Sequence, residues 1–169
     1  MTEFKPIIEV IEEAYEIQHL NTTRKISALL PYDYYKTDKK YPVLYLQDGQ
    51  NLFNPSAQYG DWAIDKSLAT LAEEGLKDLI IIAIDHGEEE RIIEYLPYYH
   101  PRFGEGKGKF YIEFMLEKLI PYVNKHYRTL PDFEHTGIGG SSMGGLISFY
   151  AGLSHPGVFG KMMIFSPSL

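Results

Sequence analysis

Gly137-Ile138-Gly139-Gly140-Ser141-Ser142-Met143-Gly144-Gly145 contains a G-x-S-x-G, formed by Gly140, Ser142 and Gly144. Thr136, Gly137 and Ile138 suit a short buried strand leading into it. Leu146, Phe149, Tyr150 and Leu153 follow at i, i+3, i+4 and i+7, the spacing of one helix face. A strand, a sharp turn carrying a serine and then a helix is the context a nucleophile elbow requires. Such a turn is tight enough that the residues two before and two after the serine must be small, because a Cβ there would strike neighbouring backbone. Ser142 satisfies this with Gly140 and Gly144. Ser141 would have Gly139 and Met143, and Met143 fails. A plain glycine-rich turn, or a phosphate held at a helix N-terminus, are the competing readings. The phosphate-loop pattern G-x-x-x-x-G-K-[ST] is absent, and G-x-G-x-x-G laid on Gly137, Gly139 and Ser142 fails at its third glycine. Ser142 is the expected nucleophile.

Working outward from the turn, the chain alternates strands and helices. Pro42 to Leu46 and Leu79 to Ile84 are continuous apolar runs, as expected of strands buried on both faces, and Lys161 to Phe165 is a further strand. Trp62 to Leu76 reads as a helix with Ala63, Ser67, Leu68, Leu71 and Ala72 facing inward. Ile112, Leu116, Leu119 and Val123 keep helical spacing, and Pro121 should kink that helix or start a new turn. At the N-terminal side, Glu13 to Leu20 and Lys25 to Leu30 read as two antiparallel strands joined at Asn21-Thr22. Tyr32 to Lys40 reads as polar loop, and Glu88 to Lys109 as a long loop, of a length uncommon in compact domains unless functional. The pattern is α/β with a mostly parallel sheet and two antiparallel N-terminal strands. Ligands of such sheets sit beyond the C-terminal strand ends. That edge gathers Asp48 to Asn51, Asp85 to Gly87 and the Ser142 turn.

Composition narrows the partners. The net charge is −7, from 16 basic and 23 acidic residues in 169. This argues against nucleic acid and anionic membrane, both of which attract basic patches. With no cysteine there is neither a disulfide framework nor a thiolate metal site. Met1 to Pro6 lacks a signal-peptide pattern and no run of 18 apolar residues exists, so a cytoplasmic protein is the expectation.

Three stretches carry a resemblance: Tyr41-Pro-Val-Leu-Tyr-Leu-Gln-Asp-Gly-Gln-Asn-Leu-Phe53, Gly140-Ser-Ser-Met-Gly-Gly145 and Phe159 to Ser168, with Arg91-x-x-Glu94-Tyr95 between them. Together they resemble the Putative esterase family of α/β-hydrolases, which includes esterase D and enterochelin- and feruloyl-esterase-like enzymes. The resemblance implies hydrolysis of a small carboxylic ester through an acyl-enzyme on Ser142, with no metal or organic cofactor. It implies oxyanion donors in the backbone N–H of Met143 and of Gln50, just past Asp48-Gly49.

The family order is serine, then Asp or Glu, then histidine. After Ser142 the chain has no acidic residue, and its one histidine is His155, at the far end of the helix and about 20 Å away. Of the upstream histidines, His19, His126 and His135 lie away from the active edge. His86 and His100 belong to that edge, as polar loop residues. Arg91 would bind a substrate anion or, as the simpler reading, pair with Glu94 at i+3. A sheet closing on Lys161 to Phe165 would leave a buried-type strand as a raw edge. Residues 1–169 are therefore expected to form a single α/β-hydrolase domain, incomplete at the C-terminus, with the triad Asp and His beyond it and little turnover on its own. A binding module that has lost its triad, and a related serine peptidase or acyltransferase, are the alternatives.

Overall fold

The computed structural model describes residues 3–169. Among them one sheet holds β1 (Ile7–Ile17), β2 (Thr22–Leu30), β3 (Val43–Gln47), β4 (Ile80–Ile84), β5 (Thr136–Ser141) and β6 (Lys161–Phe165). The spatial order is β1-β2-β4-β3-β5-β6. β1–β2 and β2–β4 pair antiparallel, whereas β4–β3, β3–β5 and β5–β6 pair parallel. This is the expected mixed α/β sheet.

The apolar runs still obey the two-residue period of a strand, because both faces are covered. Val43, Tyr45, Ile80, Ile82 and Ile84 enter the larger core, whereas Leu46, Ile81 and Ala83 enter the smaller one. The larger core is closed by α3 (Gly108–Phe114), α4 (Ile120–His126) and α5 (Met143–Ser154), through Tyr111, Phe114, Val123, Ile147 and Ala151. The smaller is covered by α1 (Ile64–Glu73), with Ile64 and Leu68 against it.

Several elements differ from the sequence expectation. β1 starts at Ile7 rather than Glu13 and ends at Ile17, and Gln18–Leu20 form a 3₁₀ turn closed by Asn21 at φ 51°. Two register shifts, between Val10 and Glu12 and between Glu12 and Tyr15, blur the alternation that would announce an earlier start. His19 therefore sits in the turn, facing Glu117, not on the strand. The loop from Tyr32 carries a 3₁₀ turn at Tyr34–Lys36, with Tyr34 buried. In α1 the buried residue is Ala69, while Ser67 and Leu71 are exposed. Leu68 keeps its expected inward place, beside Ile64. On α5 Leu146 is buried as expected, with Gly144, Gly145, Ile147, Ser148, Ala151 and Gly152, whereas Leu153 faces solvent. The stretch from Glu88 is not all loop, since Arg91–Tyr95 form a short helix, α2. Pro121 acts as expected. The turn before it, Met115–Leu119, widens to a π-helix, and Pro121 opens α4 where its missing N–H costs little. β6 is an edge strand, with Met162 and Phe165 exposed. No helix among the described residues is long and apolar enough to cross a membrane.

Candidate active site

The registers bring three strand ends level. Gln47 of β3 lies beside Ile84 of β4, and Leu46 lies beside Gly139 of β5. The chain turns sharply at each end. Asp48 follows β3 at φ 58° and ψ 51°, and Ser142 follows β5 at φ 56° and ψ −121°. A serine at positive φ is a strained backbone position, costing on the order of 1–3 kcal/mol unless its surroundings enforce it. Here they do. The Ser142 N–H donates to the Phe165 carbonyl at 3.1 Å, and the Ser142 carbonyl accepts from Leu146 at 3.0 Å and Ser168 at 3.1 Å.

Both glycines flanking Ser142 stand where no Cβ fits. A Cβ on Gly140 would lie 2.7 Å from the backbone of Gly144. A Cβ on Gly144 would lie 2.9 Å from Asp48 Oδ2 and 3.1 Å from the Gln47 side chain. Any larger residue at either place would push the turn off the sheet.

Ser142 is exposed and opens, with Ser141, onto a cavity of about 770 Å³. Asp48, Asn51 and Leu52 of the β3 loop line it, as do Tyr59 and Trp62 before α1 and His86, Glu88, Arg91 and Ile92 after β4. Trp62 meets Phe165 edge to face, 5.4 Å between ring centres. Met143 is the first residue of α5, where a helix N–H has no intrahelical acceptor and the helix dipole favours negative charge.

Gln50 lies in a 3₁₀ turn, Gly49–Asn51. Its Nε2 donates to the His86 carbonyl at 3.0 Å, and its Oε1 accepts from the His86 N–H at 2.9 Å. The side chain thus ties two loops together, and Asn51 is the neighbour that reaches the cavity.

Arg91 does not pair with Glu94. Its Nε and Nη2 donate to the two oxygens of Asp48, each at 2.7 Å, and Nη2 also reaches the Ser141 carbonyl at 3.4 Å. Burial works against the guanidinium charge, but the hydrogen bonds and charge of Asp48 together outweigh it and hold the group above its ordinary value. Glu94 is buried and pairs with Arg24 of β2. An i+3 rule sees only the helix surface, whereas Glu94 turns inward to β2 and Arg91 to the loop after β3.

His86 lines the cavity, and its Nδ1 accepts from the Glu88 N–H at 3.0 Å. Burial lowers its pKa, which favours the neutral ring. His100 accepts from the Arg102 N–H at 3.1 Å and leans on Phe103. His126 stacks on Tyr122, His135 pairs with Asp132, and His155 ends α5. The partner of the Ser142 hydroxyl is the Ser168 hydroxyl, at 3.0 Å. Ser168 ends the Phe159 to Ser168 stretch, and the return of residues 166–168 over the turn brings its hydroxyl there. Among the described residues no group of three or more His, Cys, Asp or Glu side chains gathers closely enough to hold a metal ion.

A family model described as Putative esterase matches residues 17–169. The uncharacterized protein YbbA of Bacillus subtilis is 29% identical over 151 residues, covering 86% of this chain and 57% of that protein. A ferulic acid esterase from the anaerobic fungus Anaeromyces mucronatus superposes with a TM-score of 0.72 at 29% identity, covering 96% of this chain and 59% of that one. An IroE-like serine hydrolase from Shewanella oneidensis, 21% identical, covers 94% of this chain and 49% of its own with a TM-score of 0.73, a likeness of fold. The chain therefore spans between about half and three fifths of the length of these relatives.

Proposed function

The chain belongs to the Putative esterase family, and from that premise we propose that it carries the nucleophile of a serine carboxylic-ester hydrolase. The observation that supports this most is Ser142 itself. It is held at φ 56° between β5 and α5, exposed, and open to a cavity large enough for a small ester. In the proposed reaction Ser142 Oγ attacks the ester carbonyl and a base takes its proton. The carbonyl oxygen becomes an oxyanion that accepts from the Met143 and Gln50 backbone N–H groups, each worth roughly 3–4 kcal/mol in the transition state. Collapse expels the alcohol and leaves an acyl-enzyme, which water hydrolyses by the reverse proton path. The triad Asp and His would come from sequence beyond Leu169, so residues 1–169 alone are expected to turn over little. A small aromatic acyl ester is the favoured substrate, a choice supported by the named fungal relative and by Tyr59 and Trp62 at the cavity.

The hydroxyl-to-hydroxyl contact of Ser142 with Ser168 favours a second reading, a binding module without catalysis. A fluorophosphonate probe decides between them, read by intact mass on the native protein and on Ser142→Ala. Labelling of the native chain, absent in Ser142→Ala, upholds the serine hydrolase. A folded full-length protein, with any sequence beyond Leu169 in place, that takes no label upholds the binding module. Ester, amide and acyl-acceptor panels then separate an esterase from a peptidase or acyltransferase.

A further inference from the structure

We propose that Arg91 is a positioning residue, whose fork neutralises the Asp48 carboxylate beside the first turn of α5 and joins the β3 loop to the Ser142 turn. The inference rests on Ser142 being the nucleophile.

Asp48 stands very close to that turn, since a Cβ added to Gly144 would lie 2.9 Å from its Oδ2. The carboxylate thus shares the N-terminal end of α5 with the place where an oxyanion would form. A fixed negative charge there opposes a second one, and low solvent access strengthens the opposition. The Asp48 side chain is only 10% exposed, so water screens it little. Arg91 meets both carboxylate oxygens at 2.7 Å with its planar fork. His86, Tyr95 and Tyr111 also lie in electrostatic reach of Asp48, and Arg24, which faces His86 and Tyr111, is already paired with Glu94, while Tyr111 and Tyr95 pack beside them. Burial pushes His86 and the two tyrosines toward their neutral forms, and Glu88 beyond His86 adds negative charge. The compensating charge therefore comes from Arg91.

The same side chain makes a mechanical link. Its Nη2 reaches the carbonyl of Ser141, one residue before the serine, at 3.4 Å. One guanidinium thereby touches the loop after β3 and the turn after β5, the two segments that carry Gln50 and Met143. A fork spanning both fixes the separation of the two N–H groups. Small displacements of such donors cost up to about 100-fold in rate.

The test compares fluorophosphonate labelling rates of Ser142 in the full native chain, Arg91→Gln, Arg91→Lys and the double variant Asp48→Asn with Arg91→Gln. Melting temperatures are recorded for each. Amide hydrogen exchange is followed over residues 48–52 and 141–146. Arg91→Gln is expected to label about 10- to 100-fold more slowly. The double variant should recover much of that loss, because the opposing charge has gone, and Arg91→Lys should fall between. A merely structural arginine would not be rescued by removing its partner. Native labelling in Arg91→Gln, or a double variant no faster than the single one, overturns the proposal. If the native chain takes no label, the serine reading fails separately. Exchange then decides the link: faster exchange confined to the two segments in Arg91→Gln upholds it, and unchanged exchange overturns it.

Discussion

Arg91 and Glu94 lie one turn apart on α2, yet the ion pairs they enter have different surroundings. Arg24 and Glu94 are 8% and 5% exposed, and Arg24 also donates to the Thr22 hydroxyl and the Thr23 carbonyl. Their partners are all scaffold. Arg91 is 22% exposed, and its pair with Asp48 borders the cavity and the Ser142 turn. One helix turn thus separates a sealed pair that fastens α2 to the sheet from an open pair placed where chemistry is proposed. The same two residue types do different work because one pair ends in β2 and the other in a loop.

The sharpest way to break this comparison is to remove one member of the sealed pair. Glu94→Gln leaves a buried guanidinium without its counter-charge and should cost about 3–5 kcal/mol in urea unfolding. A loss near zero would mean that the pair is not sealed. Gly87→Ala attacks the same pair from above. Its Cβ would fall on the Arg24 guanidinium and the Glu94 carboxylate, and overpacking of this kind costs about 1–3 kcal/mol. Arg91→Gln should cost less stability, about 1.5–3 kcal/mol, because Arg91 is the more exposed arginine and opens onto the cavity, while slowing the labelling of Ser142. Equal stability losses at Glu94 and Arg91 would erase the distinction.

Asp85 sharpens it at the small end, as a carboxylate of the same strand-end region that joins no ion pair among the described residues. Burial pushes its pKa up from 3.8 to about 6, against the nearby Lys25 charge, which lowers it. The folded state then binds more protons than the unfolded chain between those values, so stability should fall as pH rises through about 4 to 6. Asp85→Asn should remove that fall and gain about 1 kcal/mol at pH 7, after allowing for its partial exposure. Unfolding at a series of pH values checks both statements.

The Ser142 turn was legible because a single steric rule, glycine two residues either side, acts within five residues. The parallel strands were legible because runs such as Ile80 to Ile84 admit few other fates. The partner of Arg91 was not, since Asp48 lies 43 residues away and only the sheet brings it near. Nor was α2, whose five residues are too few to display a helical period. Ile8 and Val10 hid the start of β1 by standing exposed on an edge strand, 40% and 45%, where alternation predicts polar residues. Gln50 was placed in its loop, but the direction of its side chain depends on the backbone of His86.

The strand order has a consequence for how the molecule comes into being. β3 is flanked by β4 and β5, both of which lie later in the chain, and Val43 must find Thr136 across about 90 residues. Such closures are entropically costly before they are rewarded, and they make assembly slow. During synthesis at about 5–20 residues per second, β3 waits several seconds for its second neighbour. The apolar Leu44 and Leu46 remain uncovered on that side for the interval, and the Ser142 turn cannot settle against the β3 loop until β5 arrives.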